Sequence, residues 1–266
     1  MRARIQHTTR MEFFPKATVA LLLGIALLFN SCNGENVPDC FQNAGEPKRK
    51  TLDVPEFSKI TVFENLNLVL KQGSEHRVEV ESGEYLIEGV TAQVEEGRLV
   101  LRNDTGCNLV RKYGLTTVYV TAPNLTEVRS STGLLISGDG VLSYPSLSLI
   151  AESYNNPETE TTDGSFDLDL EAVSVSIVVN GIAHFKLRGS TENLNITVAA
   201  GDSRIEAGEL VAQRVNVNHR GSNDVFVNPQ QRIGGVIRGY GNVYCVQRPA
   251  EVEVEELFNG RLIFQD

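Results

Sequence analysis

Glycine recurs at a fixed interval in the second half of this chain. The residues stand 20 positions apart, and each opens a short segment of alternating apolar and polar residues: Gly181, Gly201, Gly221 and Gly241. A period near 20 residues is typical of chains that stack one small unit on the next. Alternation with a period of two indicates a β-strand. The sequence therefore predicts a solenoid of short β-rungs.

The apolar residues keep register with these glycines. Four positions after each glycine stands one column of apolar residues: Phe185, Ile205, Val225 and Cys245. We expect this column to face the core, where an unpaired cysteine packs as a small hydrophobe. No stretch beyond residue 32 combines helical periodicity with caps, so we predict an all-β chain.

The N-terminus has the layout of a targeting segment. Basic residues precede an apolar run at positions 17–29, and these 13 residues are too short to span a bilayer, which takes about 20. Ser31 then precedes Cys32, as in a bacterial lipoprotein signal. We expect residues 1–31 to be removed and Cys32 to carry the lipid anchor. An ordinary cleaved signal with an incidental cysteine is the alternative, and translation can start at Met1 or Met11.

The charge of the processed chain limits its partners. Loss of four basic residues and Glu12 leaves 20 Lys and Arg against 33 Asp and Glu, a net charge of −13. Nucleic acid is an unsuitable partner, because phosphate binding needs a basic surface. We expect an exported protein, lipid-anchored in the cell envelope at the outer membrane, with its periplasmic or surface orientation left open.

The processed chain divides into a tether and one body. Residues 32–56 are polar and rich in turn formers, and strand-like runs follow one another across 57–266 without a linker. The polar insert at 155–164 interrupts the repeat. Such insertions fall on one edge of a solenoid, where they serve either as binding loops or as neutral excursions.

Two cysteines lie in irregular segments where they are free to meet. Cys40 is in the tether and Cys107 is in a loop rich in Gly, Asn and Asp. Disulfides persist in the oxidising compartments that exported proteins reach. We expect a bridge between these two, and the alternative is that Cys40, Cys107 and Cys245 are all reduced.

Several clusters of chemically active residues need an interpretation. Four carboxylates recur near one strand and form either a hard-cation site or the solvated face of that strand: Asp163, Asp167, Asp169 and Glu171. The solvated face is favoured, because no calcium-loop motif accompanies them. The histidines show no metal-ligand spacing: His76, His184 and His219. We therefore predict neither a metal site nor a cofactor.

One further row combines polar side chains with an aromatic ring. The third position after each glycine carries His184, Arg204, Asp224 and Tyr244. A stacked row of this kind can bind an anionic sugar. A polar outward ladder with salt bridges between rungs is the favoured alternative, so the ligand-binding residues stay unassigned.

The order of motifs resembles a known family. Phe57-x-x-Ile60-x-Val62, the LVLKQG turn at 68–73, the VYVTAPNL segment at 118–125 and the closing GYGNVYCVQRP are similar to the head GIN domain. This domain of unknown function carries the label autotransporter adhesin and is common in lipoproteins of the Bacteroidetes. The resemblance covers 57–249 and implies a single-stranded, right-handed parallel β-helix. It also implies that Cys40 and Cys107 belong together, and it supplies no catalytic residue.

Two functions are compatible with these observations. The first is a non-enzymatic envelope module for adhesion or ligand binding, with a cell-surface glycan or an envelope protein as its partner. The second is a lyase or hydrolase acting on an acidic polysaccharide, since such enzymes also use parallel β-helices. The absence of Trp and of hydrolase motifs favours the first function.

The anchor can be tested by removing the cysteine that carries it. Because more than one acyl chain is needed for stable attachment, Cys32→Ala should move the protein from the membrane fraction to the soluble fraction. Fractionation of cells that express both forms checks this expectation. Retention of the variant in the membrane fraction would contradict it.

Overall fold

The computed structural model describes residues 41–63, 65–105, 112, 114–155 and 158–265. The expected signal, the anchor at Cys32 and the bridge between Cys40 and Cys107 lie outside the described residues. Within the described ranges the chain is all-β, with a single-turn 3-10 helix at Ile87–Gly89 and no α-helix. The same ranges contain no helix with the length and apolarity needed to cross a membrane.

Seventeen strands form one sheet that is nearly closed on itself. The strands are β1 (Pro47–Leu52), β2 (Lys59–Val62), β3 (Asn67–Gln72), β4 (Arg77–Gly83), β5 (Val90–Glu95), β6 (Arg98–Asn103), β7 (Thr117–Ala122), β8 (Glu127–Ser130), β9 (Leu135–Leu142), β10 (Ser146–Ala151), β11 (Ser165–Val179), β12 (His184–Val198), β13 (Arg204–His219), β14 (Val225–Ile237), β15 (Val243–Cys245), β16 (Glu251–Glu256) and β17 (Leu262–Phe264).

The pairings arrange these strands in two rows. The front row runs β1–β4–β7–β3–β9 and continues through the first halves of β11 to β14 into β15 and β17. The back row runs β5–β6–β2–β8–β10 and continues through the second halves of β11 to β14 into β16. All pairings are parallel except β1–β4, β4–β7 and β5–β6. Each long strand therefore turns a corner from one row into the other.

The 20-residue repeat does not extend through the first half of the chain. Strands β2 and β3 lie between β6–β7 on one side and β8–β9 on the other. In chain order, the second rung of the stack (β2 and β3) therefore comes first and is followed by β4 and β5. The end rung (β6 and β7) comes next, and β8 then begins the rung on the other side of β2 and β3. A solenoid wound in strict sequence order over 57–266 is therefore the wrong description. The sequence does not predict this order, because apolar and polar residues alternate within each strand in the same way whichever order the rungs take.

Side chains that point between the two rows form one core. Its largest members have no exposed surface, among them Phe185, Leu68 and Ile136. Because the parallel strands are in register, similar side chains of successive rungs stack on one another. Phe166 stacks on Phe185 in this way, with ring centroids 4.7 Å apart. Burial of each such side chain contributes about 1.5–3 kcal/mol.

Cys245 faces this core, as expected, although its predicted column is wrong. The strand partner of Val225 is Val243, and Cys245 pairs with Val227, because the last step of the ladder is 18 residues rather than 20. The thiol is unpaired and fully buried, and this burial raises its pKa to about 12. Cys245 therefore acts as a small core residue.

The glycine turns allow successive rungs to approach at backbone distance. An added Cβ on Gly201 would lie 2.2 Å from the carbonyl oxygen of Gly181, and one on Gly239 would lie 2.1 Å from that of Gly221. The same carbonyls accept hydrogen bonds from the amides of Asp202 and Tyr240 at 2.9 and 3.1 Å. No side chain fits at these turns without separating the rungs.

This close approach predicts a large effect of a single methyl group. We expect Gly239→Ala to lower the free energy of unfolding by about 1–3 kcal/mol, because its Cβ must displace backbone. Gly208→Ala is the matched control, since its nearest neighbour would be Val246 at an ordinary 3.4 Å. Urea unfolding followed by circular dichroism compares the two. Equal stability of both variants would contradict the account of the turns.

A buried histidine makes the stability of these turns depend on pH. His219 ends β13 inside the core and has no exposed surface. Burial lowers the pKa of His219 below its usual value, and the backbone of Asn223 and the carboxylate of Asp224 oppose this shift only in part. The folded state thus binds this proton less readily than the unfolded state does, and this stabilisation holds above about pH 6.5 and is lost on acidification.

A comparison with an uncharged residue isolates this contribution. As the pH falls from 7 to 5, the wild-type chain should lose free energy of unfolding relative to His219→Leu, by at most about 1.4 kcal/mol per pH unit. Other titrating groups act equally on both proteins, so the difference reports His219. Parallel stability curves over this pH range would show that the imidazole is not held neutral.

Candidate ligand recess on the front row

The outer surface of the front row carries a row of charged and aromatic side chains. The strand pairings align one residue from each of five successive strands: Asp167, Lys186, Glu206, Phe226 and Tyr244. Strand alternation directs these side chains outward, because their neighbours on either side in each strand are buried. This part of the surface is therefore built by the same register that builds the core.

The row predicted from glycine spacing is only partly formed. His184 pairs with Arg204, as expected. Tyr244 instead pairs with Phe226, since the last step of the ladder is two residues short. Asp224 lies at the turn before β14, where its carboxylate accepts the amide of Asn242 at 2.9 Å. The structure thus does not assemble a stacked His-Arg-Asp-Tyr site.

The acidic residues at the start of β11 are neutralised by a neighbouring arginine. Arg188 on β12 contacts Asp167 and Asp169, each at 2.7 Å. These bonds to Asp169 and Asp167 raise the pKa of the Arg188 guanidinium. Asp163 instead bonds to Thr161, and Glu171 is exposed. Across the described ranges of the chain, no group of His, Cys and acidic side chains has the arrangement of a metal site.

An irregularity in β13 indents this surface. The register between β12 and β13 passes from Lys186–Glu206 to Arg188–Glu209, which leaves one extra residue on β13. On its other side, the pairing of β13 with β14 jumps from Ala207–Val227 to Val211–Asn228. Gly208 adds no side chain at this bulge. Bulges of this kind redirect side chains and often lie beside binding sites.

The bulge produces a recess of about 290 Å³. Leu187 and Gly208 line it together with six charged or aromatic side chains: Lys186, Arg188, Arg204, Glu206, Glu209 and Phe226. This volume is near the lower limit for sites that bind small molecules, about 300 Å³. The recess combines an apolar surface with hydrogen-bonding groups of both charges.

Stacked side chains form one wall of the recess. The Arg204 guanidinium lies 4.7 Å from the centroid of Phe226, and the Phe226 ring stacks on Tyr244 at 4.9 Å with an interplanar angle of 10°. Arg204 also contacts Glu206 at 2.7 Å. That hydrogen bond, and a second one from His184, lower the pKa of the Glu206 carboxyl. The wall is therefore fixed by contacts within the protein.

Two groups on the rim are free to meet a ligand. Lys186 and Glu209 are exposed, and neither has an ion-pair partner within the described part of the chain. Lys186 offers hydrogen-bond donors, and the Glu209 carboxylate offers acceptors. The other charged groups that line the recess are held by Asp167, Asp169 and one another.

Sequence reasoning missed this recess for a definite reason. The alternation of the sequence marks Lys186, Glu206 and Phe226 only as residues between inward positions. The available signal is the longer spacing in β13, where AGELVA stands opposite a shorter segment of β14. Glycine within a strand often marks a bulge, and Gly208 fits that rule.

The remaining predicted groups lie elsewhere. His76 bonds to the carbonyl of Phe57 at 2.8 Å, and His219 is in the core. The described end of the 155–164 insert lies against the turn after β8, where the amide of Glu160 donates to Ser131 at 2.8 Å. None of these groups lines the recess.

Comparisons with known proteins agree with this architecture. The family model described as "Putative auto-transporter adhesin, head GIN domain" matches residues 56–249. The crystal structure of a "putative adhesin" from Bacteroides fragilis is similar with a TM-score of 0.70 at 17% identity, over 82% of this chain and 97% of that one. Among curated protein sequences, none matches significantly.

Two further solved structures from Parabacteroides distasonis have the same fold. One, described as a "putative adhesin", has a TM-score of 0.59 at 14% identity over 83% of this chain and 97% of its own. The other, described as a "putative lipid binding protein", has a TM-score of 0.53 at 13% identity over 82% and 97%. At these identities the likeness concerns the fold. The family match spans most of the chain, and the chain therefore belongs to the head GIN domain family.

Proposed function

We propose that this protein is a non-enzymatic, lipid-anchored binding module of the cell envelope, and that it engages its ligand at the recess on the front row. Cleavage before Cys32 would leave the acylated cysteine and the residues that precede β1 to hold the β domain at the outer membrane, since part of the tether predicted at 32–56 forms β1 and pairs with β4. The adhesin descriptions of the family and of several solved relatives support an adhesion-like role at this coarse level.

The observation that carries the proposal is the bulge recess itself. It interrupts the pairing of β13 with β12 and β14, and it offers Lys186 and Glu209 unpaired beside the ring of Phe226. Its wall is already ordered by the stacking of Arg204, Phe226 and Tyr244. A ligand would therefore meet a surface that loses little conformational freedom on binding.

A neutral sugar unit is the ligand that suits this chemistry best. The lining contains three cations and two carboxylates, and Asp167 and Asp169 compensate Arg188 from outside. A balanced lining gives an anionic sugar no advantage, whereas neutral hydroxyl groups both donate to carboxylates and accept from ammonium and guanidinium groups. The apolar C–H face of a pyranose fits against the edge of Phe226.

The description of one relative as lipid-binding belongs to that protein. An acyl chain needs a long apolar cavity, and the recess is shallow with a charged rim. Hydrolysis of an acidic polysaccharide would need available carboxylates in a pair, and Asp167 and Asp169 are both engaged by Arg188. Binding without turnover is therefore the proposed activity.

We propose also that the rungs from β8 to β17 form a right-handed parallel β-helix. Successive rungs in this part pair in parallel with steps of about 20 residues, and parallel crossovers are right-handed in about 98% of cases. The out-of-order β2–β3 rung would extend this helix, and β4 and β5 would close its first end. A crystal structure decides the hand.

The binding proposal is tested with a glycan array and titration of the full processed protein. Neutral glycans should bind and remain chemically unchanged. Lys186→Ala and Glu209→Ala should each weaken binding about tenfold or more, the effect of losing a hydrogen bond to a charged group. Lys59→Ala, which removes an exposed lysine from the back row, is the control and should bind normally.

Other outcomes would overturn the proposal. Product formation from any glycan would favour the polysaccharide enzyme. Binding that both recess variants preserve would move the site elsewhere. Preferential binding of acidic glycans would contradict the argument from balanced charge.

A further inference from the structure

The C-terminal end of the stack leaves two strand edges open. In the described part of the chain, β16 pairs only with β14 and β17 pairs only with β15. Their outer edges have no strand partner there, and on β17 the Leu262 amide donates to the Glu256 carboxylate at 2.8 Å. An open edge is a template for another strand, and proteins usually cover or charge it.

The core is also exposed at this end. Val252 is 38% exposed, although its partner Ile233 one rung inward is fully buried. Leu262 and Phe264 are half-buried, whereas their partners Val243 and Cys245 are buried. At the opposite end, the 3-10 turn after β4 buries Ile87 within the core. Leu52 and Val94 at that end are half-buried, whereas Val252 in the core column of the C-terminal end is exposed.

The two open strands differ in charge. Strand β16 carries Glu251, Glu253 and Glu255 on its outer side, and Arg232 of the preceding rung contacts the first two at 3.8 and 2.5 Å. On the β17 side, the Arg248 guanidinium lies 4.2 Å from the centroid of the Phe264 ring, and Arg261, which directly precedes the strand, contacts Glu256 at 3.6 Å. Neither Arg248 nor Glu255 has an ion-pair partner among the residues that the structure describes.

We propose that a second copy of this chain docks on this end, with β17 of each copy alongside β16 of the other. A two-fold axis parallel to the strands, placed between the two ends, achieves this arrangement. Because β16 and β17 run in opposite directions within the rung, the new pairs are antiparallel. The two contacts are identical by symmetry, so the assembly closes as a dimer.

Charge selects this arrangement over the other two-fold alternative. An axis perpendicular to the rows would place β16 against β16, where three glutamates of each copy would meet with only Arg232 of each copy to compensate them. The proposed axis instead brings Arg248 and Arg261 towards the glutamates of the second copy. It also covers the exposed ends of the core columns at Val252, Leu262 and Phe264.

The size of the end face sets the expected strength. Because only one rung of each copy takes part, we expect a smaller contact than the roughly 800 Å² per partner of a standard stable interface. The dimer should therefore dissociate on dilution. Added salt should weaken it further, because the contacts between arginine and glutamate are at the surface.

The first test is light scattering after size-exclusion chromatography of the full processed protein in detergent, over a range of concentrations. The wild type should pass from monomer to dimer, and Ile263→Lys on the open strand should raise the dissociation constant about tenfold or more. Val141→Lys is the matched control, because Val141 is exposed elsewhere on the molecule and should leave dimerisation unchanged. A protein that stays monomeric throughout, or a dimer that Ile263→Lys preserves, would overturn the proposal.

A charge exchange tests the pairing without altering the apolar surface. Arg261→Glu and Glu255→Arg should each weaken the dimer, and the double variant should recover at least part of the affinity, because the antiparallel pair of Glu253 with Ile263 places Glu255 opposite Arg261. Equal loss in the single and double variants would contradict the proposed contacts.

Cysteine cross-linking distinguishes the two axes. Under oxidation, Glu253→Cys combined with Ile263→Cys should give a covalent dimer, and Glu253→Cys alone should not exceed the wild-type background. Cross-linking by the single variant would place β16 against β16 and overturn the proposed orientation.

Discussion

The structure depends on the backbone contact between successive turns. The carbonyl of Gly181 accepts the amide of Asp202 and leaves no room for a Cβ on Gly201, and the contact between Gly221 and Gly239 repeats this arrangement. Each turn is thus held at the spacing that strand pairing requires on both sides of the corner. Because the turns stay in register, equivalent side chains of successive rungs stack on one another and form the columns of the core.

This constraint explains what the sequence could predict. The glycine period and the alternation of β11 to β14 are local features, so the parallel stack and the inward direction of Cys245 follow from them. The order of the first rungs does not, because β2 and β3 have the same alternation whether they end the stack or lie inside it. The predicted column of Cys245 is wrong because the last step of the ladder has 18 residues rather than 20. The same short step places Tyr244 beside Phe226.

The candidate site lies where the regular ladder is interrupted. A chain that repeats one rung presents the same kind of surface at every level, and the bulge on β13 changes this surface where β12 and β14 pair with it. The sequence contains the extra residues, but their effect depends on where β14 resumes its pairing, which only the structure shows. The sequence likewise does not show that Arg188 from the next strand contacts both of the neighbouring carboxylates, Asp167 and Asp169.

The exchanged position of the β2–β3 rung is the central claim about how this chain is organised, and amide hydrogen exchange tests it directly. With β6–β7 on one side and β8–β9 on the other, the amides of β2 and β3 should exchange as slowly as those of β8 and β9. They should be far slower than those of the open strands β16 and β17. Rapid exchange in β2 and β3, at the rate of an end rung, would contradict the account and restore a solenoid wound in sequence order.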